Sequence, residues 1–191
     1  MSVDSSVQNT ELLLRTLVSR WDSSVEIASI AALTPDASLR RYFRISSVAP
    51  LTRASNATTV VAMVFDSVHS PEDKGSSSVP SDEAYVALTH FFLNHGVAVP
   101  KLYADYREDA VLFIEDLGDR PLIGFARNGR GEECTRLYKA AIDQCIRIQS
   151  LPLKPDLFAY NRTFTREVYL KEMFEFRDYI MIPRGASPEE I

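Results

Sequence analysis

Leu13, Leu14, Leu17, Val18 and Trp21 recur at helical spacing within residues 11–21, so the chain is expected to open on a helix. A shorter period follows. Residues 25–31 alternate in part. Residues 40–47 alternate fully, with Phe43 and Ile45 on one face and Arg40, Tyr42 and Arg44 on the other. Residues 58–65 form an unbroken apolar run that suits a central strand. Polar joints at 34–38 and 48–57 separate these three strands. Residues 67–81 are rich in Ser, Pro and charge and predict a flexible loop, because they hold too little apolar surface to order themselves. The next helix is well punctuated: Ser81 as its cap, Asp82 and Glu83 at its positive end, and Gly96 at its exit. Its expected core stripe is Tyr85, Leu88 and Phe92, flanked by Phe91. Two more strands, 97–106 and 110–117, flank the turn at Arg107, Glu108 and Asp109. Beyond Gly131 only helical spacing remains, first at Leu137, Ala141, Cys145 and Ile148, then at Tyr169, Met173, Phe176 and Ile180.

This order of elements predicts an α+β fold, a five-stranded antiparallel sheet with a helix followed by an α-helical region. The expected division is an N-terminal helix at 1–24, a sheet lobe at 25–118 and a helical part at 119–191. Of the 191 residues, 46% are apolar and 25% charged, which matches an ordinary globular protein. The net charge of −5 argues against nucleic acid as a partner, because phosphate neutralisation needs clustered basic charge. No apolar run approaches the ~20 residues of a membrane span, and residues 1–10 lack the apolar core of a signal sequence. Cys134 and Cys145 fall on one predicted helix, about 16 Å apart at ~1.5 Å per residue, too far for a disulfide. They are expected to be reduced, semi-buried packing residues of a cytoplasmic protein. His69, His90 and His95 are scattered, and no Cys/His cluster has zinc spacing.

Three stretches carry more specific information: Asp36-Ala37-Ser38-Leu39-Arg40-Arg41-Tyr42-Phe43-Arg44, Gly96-Val97-Ala98-Val99-Pro100, and Leu112-Phe113-Ile114-Glu115-Asp116-Leu117-Gly118-Asp119. With the element order, they make the chain resemble the N-terminal lobe of the protein-kinase-like fold, and within it the aminoglycoside phosphotransferase superfamily. The first and third stretches together are similar to the anomeric sugar kinases that phosphorylate N-acetylmuramate and N-acetylglucosamine in cell-wall recycling. The resemblance covers most of residues 25–181. It implies ATP and Mg²⁺ as cofactors and a small-molecule sugar acceptor.

Certain residues then become site candidates. The loop before the second strand would cover phosphates, with Ala37 and Ser38 small enough for close approach; the same residues also make a plain hairpin turn. Arg40, Arg41 and Arg44 bring three guanidinium groups within five residues, and period two sends Arg41 to the opposite face from the other two. By resemblance, Arg40 or Arg41 would face the phosphates; the other reading is a solvated strand face. The segment from Glu115 to Gly118 would be the hinge, accepting from adenine at the Glu115 C=O and donating from the Leu117 N–H, with Ala62, Ile114 and Leu117 as apolar walls. Its plainer reading is a strand end and a turn through Gly118.

The likeness has gaps. Residues 58–66 contain no Lys, which protein kinases carry on the third strand; Met63 and Asp66 resemble the sugar-kinase pattern, with Val64 and Phe65 between them. Without that partner, Glu83 reads as a first-turn acid. No His follows His95, so neither the His-x-Asp nor the metal-binding Asp of the family is expected in this chain. We therefore expect a fragment that holds the nucleotide lobe and the first helices of an incomplete helical lobe, inactive alone and prone to self-association through exposed helices. The competing expectation is a degenerate, non-catalytic lobe acting as a binding or regulatory module. A kinase with another acceptor, such as an aminoglycoside, choline or homoserine, is a third.

Overall fold

The computed structural model describes residues 3–34, 40–65, 81–127, 131–152, 154–157 and 165–185. Its elements are α1 (Val3–Trp21), β1 (Ile27–Ala32), β2 (Arg41–Leu51), β3 (Ala57–Val64), α2 (Ser81–Asn94), β4 (Leu102–Tyr106), β5 (Val111–Glu115), α3 (Leu122–Arg127), α4 (Glu132–Gln149) and α5 (Arg166–Phe176). The fold is α+β, with one antiparallel five-stranded sheet in the order β1-β2-β3-β5-β4. The chain divides into two compact units. One holds the sheet and α1 to α4; the other holds α5 and the residues after it.

Central β3 is apolar on both sides, so both sides need cover. Register sorts its side chains by face. Phe43, Ala62 and Phe113 lie abreast in one row, and Arg44, Val61 and Ile114 in the next. In a pleated sheet these two rows point to opposite faces. On the first face, Leu14, Leu17, Val18 and Trp21 of α1 pack against Phe43, Ile45, Val60, Ala62, Val64, Val111 and Phe113. Phe113 is fully buried and sits at its centre, edge-on to Trp21 at 5.5 Å and to Tyr106 at 5.7 Å. Arg20 adds exposed ion pairs from α1 to Glu108 (2.9 Å) and Asp109 (3.4 Å), of the kind that contribute little. On the second face, Val86 of α2 joins Val61, Met63, Phe65, Leu112 and Ile114.

Several expectations are corrected in detail. α1 begins at Val3 rather than Glu11. The stretch expected as a polar joint after residue 47 continues β2 to Leu51, then passes through a 3-10 turn, Thr52–Ala54. Burial of Leu51 and Ala54 holds it there, and Ser55 and Asn56 close the turn in left-handed conformations. β4 starts only at Leu102: the Val97 N–H still donates to the Phe92 C=O at the end of α2, and Pro100 has no N–H to give to a ladder. In α2 the buried positions are Val86, Thr89 and Phe91, whereas Tyr85, Leu88 and Phe92 are half-buried. Residues 84–88 and 91–93 are almost all apolar, so spacing alone leaves the roll of this helix open. Of the loop expected at 67–81, residues 67–80 lie outside the described residues, as does the side chain of Ser81, whose backbone already begins α2.

Both cysteines are free; Cys134 is half-buried but Cys145 is exposed, against the packing role expected of it. α4 buries none of its residues and leaves Ile142, Ile146 and Ile148 exposed. In the smaller unit, Thr165 caps α5 by accepting from the Val168 N–H, and the helix runs on into a wider turn, Arg177–Met181. Tyr169, Met173, Phe174, Phe176 and Tyr179 are exposed there. No helix of the described residues is long and apolar enough to cross a membrane.

Phe113→Ala should cost about 3–5 kcal/mol in urea denaturation, through lost transfer energy and the cavity left behind. Leu12→Ala, at a position 67% exposed, should stay within about 0.5 kcal/mol. Similar losses for the two would contradict this placement of the core.

Candidate functional site

The second sheet face has two halves. Under α2 it is apolar, with Tyr42, Met63, Phe65 and Leu112. Toward the C-terminal end of β5 it turns polar. Arg44 stands in the same row as Val61 and Ile114, and meets the chain where it leaves β5. Its Nε donates to Asp116 Oδ2 at 2.6 Å and its Nη2 to Asp116 Oδ1 at 2.9 Å. Its Nη1 and Nη2 also donate to the two Asp119 oxygens at 2.7 and 2.9 Å. One guanidinium thus holds two carboxylates in paired contacts, a geometry lysine cannot supply.

The two acids differ in setting. The Asp116 side chain is only 7% exposed, that of Asp119 is 77% exposed. Asp116 Oδ1 also accepts from the Gly118 N–H at 2.9 Å, and Gly118 takes the left-handed φ of +75° that favours glycine. Burial pushes the Asp116 carboxyl up, yet hydrogen bonds from Arg44, the Gly118 N–H and Thr59 outweigh burial and hold it below the ordinary carboxylate range. Arg44 lowers Asp119 in the same direction, and the two acids raise Arg44 in return.

Glu115 is tied to the edge strand: its N–H donates to the Lys101 C=O at 2.8 Å, and its Oε2 accepts from the Lys101 N–H at 3.2 Å. Leu117, between the two aspartates, is 71% exposed. Among the described residues, none accepts from its N–H.

The structure sorts the remaining candidates. Ile114 is buried on the second face beside Val61. Ala62 is fully buried on the opposite face under α1, so it cannot wall a ring together with Ile114. The unbroken apolar run of β3 carries no alternation from which its facing could be read; Val61 occupies the place expected of Ala62. Arg41 lies on the α1 side, over the Phe43 ring at 6.0 Å and donating to Thr10 Oγ1 at 3.3 Å. Arg40 lies on the α2 side, over the rings of Phe65 (5.8 Å) and Tyr85 (5.9 Å). The opposite facing of Arg40 and Arg41 follows the strand period. Ala37 and Ser38 lie outside the described residues. Sequence reasoning missed the Arg44–Asp116–Asp119 cluster. Its signal in the sequence was Arg44 on the polar face of an alternating strand, with two aspartates at the exit of the apolar fifth strand.

Met63 on β3 is buried, and that strand holds no lysine. No group of three or more metal-ligating side chains is gathered among the described residues. Asp116 and Asp119, engaged by Arg44, do not form a Mg²⁺ site as they stand. An open groove along α4, lined by Glu132, Arg136, Lys139 and Asp143, includes none of the residues above. No model of a known protein family matches the sequence, and no curated protein matches it.

Asp116→Asn should cost about 2 kcal/mol, since hydrogen bonds to a charged partner are lost and Arg44 keeps only its exposed acid. The sign with pH follows from the lowered carboxyl. The unfolded chain binds the proton more readily, so this contribution is present above the ordinary carboxylate range and is lost as pH falls through and below it. Denaturation midpoints measured across that range should fall more steeply with acid in the wild type than in Asp116→Asn. Parallel curves would contradict the assignment.

Proposed function

We propose that the chain carries the nucleotide-binding lobe of an ATP-dependent small-molecule phosphotransferase of the protein-kinase-like fold. The reading rests mainly on the exit of β5. There, an exposed backbone segment whose Leu117 N–H has no acceptor among the described residues adjoins a buried apolar row, Val61 and Ile114, on the sheet face that α1 does not cover. Adenine needs one donor and one acceptor on an edge and apolar surface on its faces; Leu117 N–H and Glu115 C=O would supply the edge, and the exposed Leu117 side chain beside that row an apolar face. The sheet with α2 between β3 and β4 and the change to helices after β5 agree with the expected lobe.

Of the two arginines, Arg40 is the phosphate ligand in this reading, because Arg41 is on the side that α1 covers. ATP would supply the γ-phosphoryl group and Mg²⁺ its charge neutralisation; no described cluster fits the metal, so no step is assigned to it. By resemblance the acceptor is the anomeric hydroxyl of an N-acetylated amino sugar. The groups that would activate that hydroxyl are not assigned to this chain. A second reading, a non-catalytic lobe that serves as a binding module, is favoured by buried Met63 on the strand where the lysine is expected.

Calorimetric titration with AMP-PNP and Mg²⁺ separates the two. Arg40→Ala should weaken binding about tenfold, the loss of a charge-assisted contact, and Arg41→Ala less than about twofold. Equal effects from the two substitutions would reject the assignment of Arg40. Absence of any AMP-PNP binding by the unmutated chain would favour the binding module.

A further inference from the structure

We infer that Arg44 is a positioning residue for the base of the nucleotide: it holds the segment 116–119 in the shape that presents Leu117. The inference rests on the nucleotide reading above and adds a role for a residue outside the proposed contact set. A free strand end followed by a glycine turn is ordinarily a loose element. Here both ends of the four-residue segment are fastened to the same guanidinium, Asp116 at 2.6 and 2.9 Å and Asp119 at 2.7 and 2.9 Å. The Gly118 N–H closes back on Asp116 Oδ1, so the backbone on each side of Leu117 is fixed. Arg44 is anchored in turn. Its strand is paired on both sides, with Ala31 of β1 and Val61 of β3 as its neighbours.

Two further observations point the same way. Arg44 is fully engaged by carboxylates, so it is not a spare cation for phosphate, although it shares a face with Arg40. Leu117 is turned out to 71% exposure while the residue before it is held inward, so the segment is held by the aspartates and not by burial of Leu117. A donor fixed beforehand binds without the ordering cost of a loose one.

The test uses the full chain. Arg44→Gln should weaken AMP-PNP about tenfold, the cost of ordering roughly one residue of backbone on binding. It should weaken GMP-PNP less, because the two nucleotides share phosphates and differ in the base edge. Amide exchange at Gly118 should rise about tenfold or more as its hydrogen bond to Asp116 loosens. Arg44→Lys should recover part of each effect. Asp119→Asn removes only the exposed carboxylate and should shift the same readouts in the same direction by less; it decides the question should Arg44→Gln not fold. Wild-type affinity in the variant, or an equal loss of both nucleotides with Gly118 exchange unchanged, overturns the positioning role. If the unmutated chain binds neither nucleotide, or binds both alike, the base dock itself fails, and that result is read without any substitution.

Discussion

β3 has nothing polar to offer either side between Val60 and Val64, and this governs the rest of the larger unit. A strand buried on both faces must be covered twice, once by α1 and once by α2. Those two coverings leave one part of one face for polar chemistry, the part that Arg44, Thr59 and Asp116 fill. The candidate site therefore lies where the second helix stops covering the sheet, at the end of the strand beside β3. Its position is a result of how the core is closed.

Much of the architecture was legible because it is written in spacing. The helical stripe from Leu13 to Trp21 and the alternation from Arg40 to Ser47 each identify an element and its buried side. The opposite facing of Arg40 and Arg41 follows from the same alternation. Where spacing carries no phase, the reading fails in a specific way. β3 and α2 are apolar nearly all round, so Ala62 was placed with Ile114 when it belongs with Phe113, and Tyr85, Leu88 and Phe92 were given the burial that Val86, Thr89 and Phe91 have. Both errors are errors of facing. The extension of β2 to Leu51 is of another kind, because two buried side chains outweigh a polar local composition.

The site was harder to read for a related reason. Arg44 lies far in sequence from Asp116 and Asp119, and each of the three has a local explanation that suffices by itself: a strand charge, a turn acid, a surface acid. Only the pairing of β2 with β3 and β3 with β5 brings Arg44 to the exit of β5, where both aspartates lie. The cluster is short of one positive charge, which suits a scaffold better than an anion-binding group. Arg40, between two aromatic rings, retains a different character.

The contact of Trp21 with Phe113 joins the first helix to the last strand of the sheet. Translation delivers them in that order. While the intervening strands are being made, the apolar stripe of α1 has no sheet to rest on, and loop closure over so much chain is slow. The nascent polypeptide therefore carries the apolar stripe of α1 without its Phe113 partner until β5 has been made. This is a demand on chaperones set by topology alone, whatever the finished protein binds.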